Sequence, residues 1–264
     1  MIKIENVVTP SPKQWRSAIM GARNAMNSWD RSDSIFELHE LEDWPHSTIM
    51  TFEMGPNDHD LLMRLRNAGT DHRKFMRMLP VYADIIAPLY FWKEFSTYKV
   101  GTVANSCSTM HKIHAKEFTL EDFSCEHLID YDLYSCNEVD GPVLECAPNV
   151  NCGGLQHMNL TINVLNYYRQ KYLETKDKKY WWQMIQLLPS SYNQRRTVML
   201  NYEVLANIYK SRKDHKLDEW REFCKWIEEL PYSDIITGID PVEVQKDHTY
   251  DISNHPMKDE ECEV

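Results

Sequence analysis

The stretch NYEVLANIYKSR, residues 201–212, guides the interpretation of the rest of the chain. Four of its residues recur at i, i+4, i+7 and i+11 and therefore share one face of a helix predicted near 201–213: Asn201, Leu205, Ile208 and Arg212. A guanidinium on a mostly apolar face needs a partner, because burying an unpaired charge is costly. A salt bridge to Glu219 or Glu222 on the next predicted helix is the favoured interpretation. A ligand phosphate or carboxylate is the alternative.

Helices are predicted on both sides of this stretch. The next one runs from Lys216 to Leu230 and is stopped by Pro231. Upstream, apolar residues at helical spacing predict helices of differing length: about four turns from Ser11-Pro12 to Met26, one from Asn57 to Gly69, one from Gln156 to Leu173, and a short aromatic one ending at Leu187-Leu188-Pro189. A short helix is also expected to begin at Thr119.

Strands and loops fill the remaining segments. Strand-forming residues occur at Ser47–Phe52 and Tyr98–Val103. Residues 75–92 are apolar and aromatic, and Pro80 and Pro88 exclude one continuous helix, so buried strand and buried helix both fit. Asn105–Thr109 is predicted to be a polar loop lining a site. Turns are expected at Asp43-Trp44-Pro45, Asp140-Gly141-Pro142 and Cys152-Gly153-Gly154.

Composition narrows the function. The chain has 264 residues and a formal net charge of -11, so a general nucleic-acid-coating role is disfavoured, while small anions remain plausible partners. Only 8 glycines occur, with no glycine-rich phosphate loop. The most apolar stretch, Val81 to Trp92, is too short to span a membrane, and the N-terminus has no secretory signal, so a cytoplasmic location is expected. The 7 cysteines contain no Cys-x-x-Cys pair and are interpreted as reduced thiols.

Several weaker candidates have plain structural interpretations. His111 and His114 have the spacing of two metal ligands on one helical turn, but no third ligand accompanies them, so no metal is predicted. Cys107 could be a nucleophile, and a buried thiol is the favoured interpretation. Arg195-Arg196 and the run 176–179 are predicted to be solvated faces rather than phosphate sites.

Taken together, the C-terminal residues resemble the signature of flavin-dependent thymidylate synthases. The features that carry the resemblance are Leu188-Pro189, then Asn201-x3-Leu205-x-Asn207-x4-Arg212, then His215 and Glu219-Trp220-Arg221. The spacing from Pro189 to Asn201 and Arg212 is that of the family, with one residue fewer before His215.

The N-terminal half resembles the same family more loosely. His72 and Phe75 are similar to the second His and the following Phe of its Gly-His…Glu-His stretch. Asn105-Ser106-Cys107-Ser108 is similar to its Asn-Glu-x-Ser substrate loop, with Ser106 in place of the glutamate. The family's Arg-His-Arg motif is replaced by residues 93–95 or 98–100, and two further arginines by Met110 and Ile185. The missing charge would then come from Lys93, Lys99, Arg195 or Arg196.

The resemblance implies methylation of dUMP to dTMP, with methylenetetrahydrofolate as carbon donor and NADPH reducing FAD. It also implies a homotetramer with sites between subunits. The residues expected to contact flavin are His72, Lys93, Asn201, Asn207 and His215. Those expected to contact the nucleotide are Asn105, Ser106, Ser108 and Arg212, with Arg212 and Ser108 in catalytic roles. Two alternatives stay open: a related nucleotide-modifying flavoenzyme, such as a hydroxymethylating one, and a non-catalytic binding protein on the same scaffold.

The predicted architecture follows. Residues 1–240 are expected to form one α+β domain with this family's fold, rich in helix around a central, mostly antiparallel sheet. Residues 241–264 are polar and acidic and are predicted to be a flexible tail.

Overall fold

A four-stranded antiparallel sheet organises the fold. The computed structural model describes residues 2–40, 48–130 and 153–238. The strands are β1 (Lys3–Val8), β2 (Ile35–Glu40), β3 (Thr48–Glu53), β4 (Pro80–Pro88), β5 (Val103–Ser106) and β6 (Asn193–Asn201). The main sheet has the order β1-β4-β6-β5, and β2 and β3 form a separate antiparallel pair. The predicted antiparallel α+β fold is confirmed.

Helices surround this sheet. They are α1 (Pro12–Arg23), α2 (Pro56–Asn67), α3 (Leu89–Phe95), α4 (Thr109–Lys112), α5 (Gly154–Thr175), α6 (Lys178–Leu187), α7 (Tyr202–Arg212), α8 (Asp218–Glu228) and α9 (Ser233–Thr237). Short 3-10 turns cover Asn24–Met26, Trp29–Arg31, Arg73–Met78 and Leu120–Asp122. Every helix predicted from sequence is present within a few residues of its expected bounds.

Helix α1 begins where local chemistry predicts. The Ser11 hydroxyl accepts from the Gln14 backbone, Gln14 bonds back to the Ser11 backbone, and Pro12 opens the first turn. The helix ends at Arg23, one turn short of the prediction, and Met26 lies beyond it at 59% exposure. The apolar spacing therefore set the buried face, while the last predicted turn was wrong.

The apolar stretch 75–92 combines three conformations. It passes from the 3-10 turn through β4 into α3, with Pro80 and Pro88 at the two ends of the strand. Alternate residues of β4 are buried: Val81, Ala83, Ile85 and Ala87. They pack in the main core with aromatic side chains of α3 and α8. Both conformations left open by the sequence are thus used.

The predicted strand at Tyr98–Val103 is wrong over most of its length. Residues 98–102 lie outside any strand, with a turn at Val100-Gly101, and Gly101 has a left-handed φ of 78°. Strand β5 begins only at Val103, where pairing with Met199 of β6 starts. It continues through Asn105 and Ser106, so the predicted loop begins two residues later than expected. Hydrogen bonds offered by β6 decided this boundary over local propensity.

A second, smaller core lies under the hairpin formed by α5 and α6. Its buried residues are Ile113, Phe118, Phe123, Ile162, Leu165 and Met184. The hairpin turns at Lys176, whose positive φ of 56° ends α5. The Asp177 side chain then caps α6.

A buried ion pair ties α1 to α2. Arg23 Nε donates to Asp58 Oδ1 at 2.6 Å, with the two side chains 4% and 0% exposed. Asp58 Oδ2 also accepts from the hydroxyls of Ser32 and Ser34 at 2.7 and 2.6 Å. Burial alone would raise the pKa of Asp58, but these hydrogen bonds outweigh it and leave the pKa lowered.

Some predictions fall outside the described residues: the turns at Asp43–Pro45 and Asp140–Pro142, Cys152, and the tail 241–264. Among the helices that the structure describes, none has the length and apolar character needed to cross a membrane.

Candidate functional site

Arg212, at the C-terminal end of α7, forms an internal ion pair. Its Nη1 donates to Glu94 Oε2 at 2.7 Å and its Nε to the Tyr98 hydroxyl at 3.0 Å. The guanidinium also lies 4.8 Å from the Trp220 ring centroid. The favoured interpretation, that Arg212 forms an internal salt bridge, is confirmed. The predicted partners, Glu219 and Glu222, were wrong.

Those two glutamates are engaged elsewhere. Glu219 is buried and accepts a short hydrogen bond from the Tyr90 hydroxyl. Burial, together with this bond, raises the pKa of Tyr90. Glu222 accepts from the backbone nitrogen of Ile2 at 3.4 Å. Helix α8 therefore turns its acidic residues towards β1 and α3, and α3 supplies the carboxylate for Arg212.

Glu94 is the centre of this cluster. Its Oε2 accepts from the Trp220 indole at 2.9 Å as well as from Arg212, and His215 Nε2 lies 3.6 Å away. The side chains of Glu94 and Arg212 are 35% and 19% exposed. His215 is held in turn, because its Nδ1 accepts from the Leu217 backbone at 3.2 Å. Nη2 of Arg212 makes no hydrogen bond with the described residues, so it remains able to donate to a ligand.

Asn201 has a structural role at the start of α7. Its Oδ1 accepts from the Val204 backbone at 3.0 Å, which caps the helix, and its Nδ2 reaches the Gly101 carbonyl at 3.4 Å. The residue is 8% exposed. Its amide is therefore committed to the cap and the 98–102 turn, and its predicted contact with flavin stays a prediction.

Asn207 and His72 face solvent on the side of α7 near the 3-10 turn Arg73–Met78. Asn207 Oδ1 accepts from Arg73 Nη2 at 2.8 Å, which leaves its amide nitrogen to donate. Arg73 Nε also bonds Glu203 at 3.3 Å, and Arg77 forms a second ion pair with that glutamate. The sequence gave no sign of this Arg73–Glu203 pair.

A small open cavity of about 140 Å³ lies next to this group. It is lined by Thr97, Tyr98, Lys99, Val100, Val204 and Asn207. It thus joins the 98–102 turn to α7, and Tyr98 connects it to the Arg212–Glu94 cluster. Lys93 is exposed on α3 and makes no ion pair with the described residues.

A second group of predicted residues lies along β5 and the start of α4. Asn105 stands opposite Thr197 of β6, and Ser106 opposite Arg196. Ser108 caps α4, with its hydroxyl oxygen accepting from the His111 backbone at 3.0 Å. The hydroxyl hydrogen of Ser108 is then available to a ligand. All of the residues from Val103 to Ser108 are exposed.

The paired arginines of β6 lie on opposite faces of the sheet, as strand geometry requires. Arg195 Nη2 donates to Asp84 at 2.6 Å and Nη1 approaches Glu5 at 3.5 Å. Hydrogen bonds from Asn6, Thr197 and Arg195 lower the pKa of Asp84 to about 2. Arg195 is therefore a neutralised surface cation.

Arg196 departs from the predicted solvated face. It is half-buried, and its guanidinium stacks 4.4 Å from the Trp92 ring centroid. Its Nε donates to Gln194 Oε1 at 3.0 Å, and Gln194 is itself buried and fixed by a 2.7 Å bond to the Cys107 carbonyl. Burial lowers the pKa of Arg196.

The two groups both contact helix α3. Arg196 packs on Trp92 and Arg212 on Glu94, and these two α3 residues, two positions apart, project to different sides of the helix. Along β6, Arg196 and Asn201 are five positions apart, which is about 17 Å at ~3.3 Å per residue. Arg212 lies at the opposite end of α7 from Asn201 and shares Glu94 with the flavin candidate His215, although Arg212 itself is a predicted nucleotide contact.

The weaker candidates are also placed. Cys107 is exposed, so its predicted burial is wrong, whereas Cys224 is buried and burial raises its pKa to about 12. Helix α4 ends before His114, whose ring packs against Tyr172 at 4.9 Å. Within the described ranges, no group of three or more His, Cys, Asp or Glu side chains could hold a metal ion.

The fold and these two groups define an α+β protein that presents hydrogen-bond donors and cations around α7 and along β5. No family model matches the sequence, and comparison with curated proteins finds no match. Solved structures do match. Thymidylate synthase X of Helicobacter pylori, with FAD and dUMP, has a TM-score of 0.54 and 16% identity, over 89% of this chain and 94% of that one.

A second solved protein has the same fold. The UMP/dUMP methylase PolB of Streptomyces cacaoi, bound with 5-Br dUMP, has a TM-score of 0.55 and 13% identity, over 90% of this chain and 96% of its own. Bound with 5-Br UMP, it has a TM-score of 0.53 and 11% identity. The chain therefore has the fold of flavin-dependent thymidylate synthases, as the sequence resemblance predicted.

Proposed function

We propose that this protein methylates dUMP to dTMP, using FAD, NADPH and methylenetetrahydrofolate, as a cytoplasmic homotetramer with sites between subunits. The observation that carries the proposal is the exposed run of donors on β5 and α4 beside Arg196, in a chain of net charge -11. This run lies on a fold that two proteins bound to uridine nucleotides share over about nine-tenths of this chain.

The residues around the 140 Å³ cavity include hydrogen-bond donors that would suit FAD. The Asn207 amide and the Lys99 ammonium line it as donors, and the exposed His72 ring lies on the same side of α7. The cavity is smaller than the ~300–1,000 Å³ of a typical ligand pocket. A second copy of the chain would supply the missing wall. When bound, FAD supplies the hydride for the reaction.

The protein residues would bind and orient. His72, Lys93, Asn207 and His215 would contact flavin, with Asn201 holding the 98–102 turn in position. Because Glu94 offsets the charge of Arg212, the free Nη2 of Arg212 suits a neutral acceptor such as a pyrimidine carbonyl. Asn105, Ser106 and Ser108 would donate to the rest of the nucleotide.

The visible spectrum of the purified protein tests the flavin part of the proposal. We expect a yellow preparation, or one that takes up added FAD, and a colourless protein that takes up none would overturn it. Arg212→Ala should then weaken dUMP binding at least tenfold while flavin is retained, because the ring contact is lost. Unchanged dUMP affinity would contradict the role of Arg212. Lys213→Ala, an exposed neighbour, is the matched control.

The same binding measurement should be repeated with UMP, because the methylase PolB was solved with both 5-Br UMP and 5-Br dUMP. Tighter binding of UMP than of dUMP would favour a related pyrimidine-nucleotide-modifying enzyme. FAD uptake and nucleotide binding without any turnover would favour the non-catalytic alternative.

A further inference from the structure

Arg196 is a cation whose two terminal nitrogens make no hydrogen bond with the described residues. Its Nε is fixed by Gln194, but neither terminal nitrogen bonds any side chain or carbonyl of the described residues. Arg196 forms no ion pair with a carboxylate of the described residues, and burial lowers its pKa. A half-buried cation without a counter-charge is costly unless a ligand anion completes it.

The guanidinium is also held in a fixed orientation. Trp92 supports one face of its plane at 4.4 Å, and the buried Gln194 orients Nε through its own bond to the Cys107 carbonyl. Trp92 is fixed in turn, because its indole donates to the Gln194 carbonyl at 2.8 Å. A planar guanidinium held in this way presents two parallel donors, which is the geometry that phosphate oxygens accept.

Further donors lie beside it. Ser106 is the direct cross-strand partner of Arg196, so its side chain projects from the same face of the sheet. After Ser106, the Cys107 carbonyl accepts a hydrogen bond from Gln194. The next residue, Ser108, has a hydroxyl hydrogen that can be donated to a ligand. Ser106 and Ser108 thus supply two exposed hydroxyls on the strand and turn next to Arg196.

The neighbouring arginines are already neutralised. Arg195 pairs with Asp84 at 2.6 Å, and Arg212 pairs with Glu94 at 2.7 Å. The side chains of Lys93 and Lys99 are exposed and make no hydrogen bond or ion pair with the described residues. Of the four residues that could replace the missing cations, Arg196 is the one that is both fixed and uncompensated within the described residues.

We infer that Arg196, with Ser106 and Ser108, binds the phosphate monoester of the nucleotide substrate. This inference rests on the proposed function, since it assigns the anionic end of the same ligand. Arg196 is a binding residue that sets the preference for the 5′-monophosphate over the nucleoside.

The test measures the dissociation constants of dUMP and of deoxyuridine, by calorimetry on the FAD-loaded protein, for wild type, Arg196→Gln and Arg195→Gln. The two variants remove the same charge from adjacent residues on opposite faces of the strand. We expect Arg196→Gln to weaken dUMP roughly 10- to 100-fold, as for loss of a charge-assisted hydrogen bond, and deoxyuridine less than about 3-fold. Arg195→Gln should change both by less than about 3-fold.

The alternative outcomes separate this inference from the proposed function. Wild type that binds neither dUMP nor deoxyuridine would overturn both. If wild type binds dUMP, an unchanged Arg196→Gln variant, or one that loses dUMP and deoxyuridine equally, would overturn the phosphate role alone. A loss confined to FAD, followed by flavin fluorescence, would assign Arg196 to the cofactor and contradict the inference.

A second variant keeps the test decisive if Arg196→Gln does not fold. Arg196→Lys keeps the charge over Trp92 but loses the two parallel donors. It should weaken dUMP about 3- to 10-fold with deoxyuridine unchanged. An unchanged preference for dUMP over deoxyuridine in this variant would overturn the inference.

Discussion

Replacing Glu94 by glutamine should lower the free energy of unfolding by roughly 1–2 kcal/mol. The carboxylate accepts from Arg212 at 2.7 Å and from the buried Trp220 indole at 2.9 Å. A hydrogen bond to a charged group contributes about 1.5–3 kcal/mol, and solvent reduces this because the Glu94 side chain is 35% exposed. Glutamine retains one acceptor oxygen, so part of the interaction remains.

Thermal unfolding at one fixed protein concentration measures the effect. At ~2–4 °C per kcal/mol for a chain of this size, the melting temperature should fall by about 2–8 °C. Glu117→Gln is the control, because Glu117 is exposed and makes no ion pair with the described residues. A double-mutant cycle with Arg212→Gln should give a coupling of about 1 kcal/mol or more. A melting temperature equal to that of Glu117→Gln, with no coupling, would refute the reasoning.

Three further predictions concern the scaffold. Asp58→Asn should lower the free energy of unfolding, measured by chemical denaturation, by about 3–5 kcal/mol, because it leaves a buried arginine without its counter-charge. The control Asp60→Asn, at an exposed ion pair, should lower it by less than ~0.5 kcal/mol. Similar losses in the two variants would contradict the buried ion pair. Because the folded-state pKa of Asp84 is lowered from 3.8 to about 2, its contribution to stability is complete above about pH 4 and lost as the pH falls through about 2, so Asp84→Asn should unfold less steeply with acid than wild type. Gly101→Ala should lower the free energy of unfolding by about 1 kcal/mol more than Gly69→Ala. Both glycines have positive φ, but a Cβ at Gly101 would lie 2.5 Å from the side-chain amide that caps α7, whereas a Cβ at Gly69 would have no heavy atom within 4 Å. Equal melting temperatures for the two variants would argue against the cap.

The parts of the fold that the sequence predicted are governed by local chemistry. Ser11 and Pro12 start α1 through contacts within one turn, and the apolar spacing of 201–213 defines α7. The 98–103 segment was mispredicted because its conformation depends on where β6 offers pairing. Local β propensity could not report that boundary, although Gly101 was a visible turn signal.

For Arg212, the sequence predicted an internal ion pair but not the partner. The helical spacing placed Arg212 on a buried face and showed that it needed a carboxylate, but Glu94 lies 118 positions away in sequence. Nothing local ranks it above Glu219, which is closer along the chain. Arg196 was likewise judged exposed because its burial depends on Trp92, an aromatic residue brought near by the sheet and α3.

The most direct test of the proposed reaction follows the hydrogen on C5 of the pyrimidine, which methylation at that carbon displaces. Wild-type protein would be supplied with FAD, NADPH, methylenetetrahydrofolate and dUMP tritiated at C5, with deoxyuridine tritiated at C5 as the matched substrate. We expect tritium release to water that requires FAD and dUMP together and is accompanied by dTMP. A flavin-loaded protein that binds dUMP and releases no tritium above the deoxyuridine level would contradict the account.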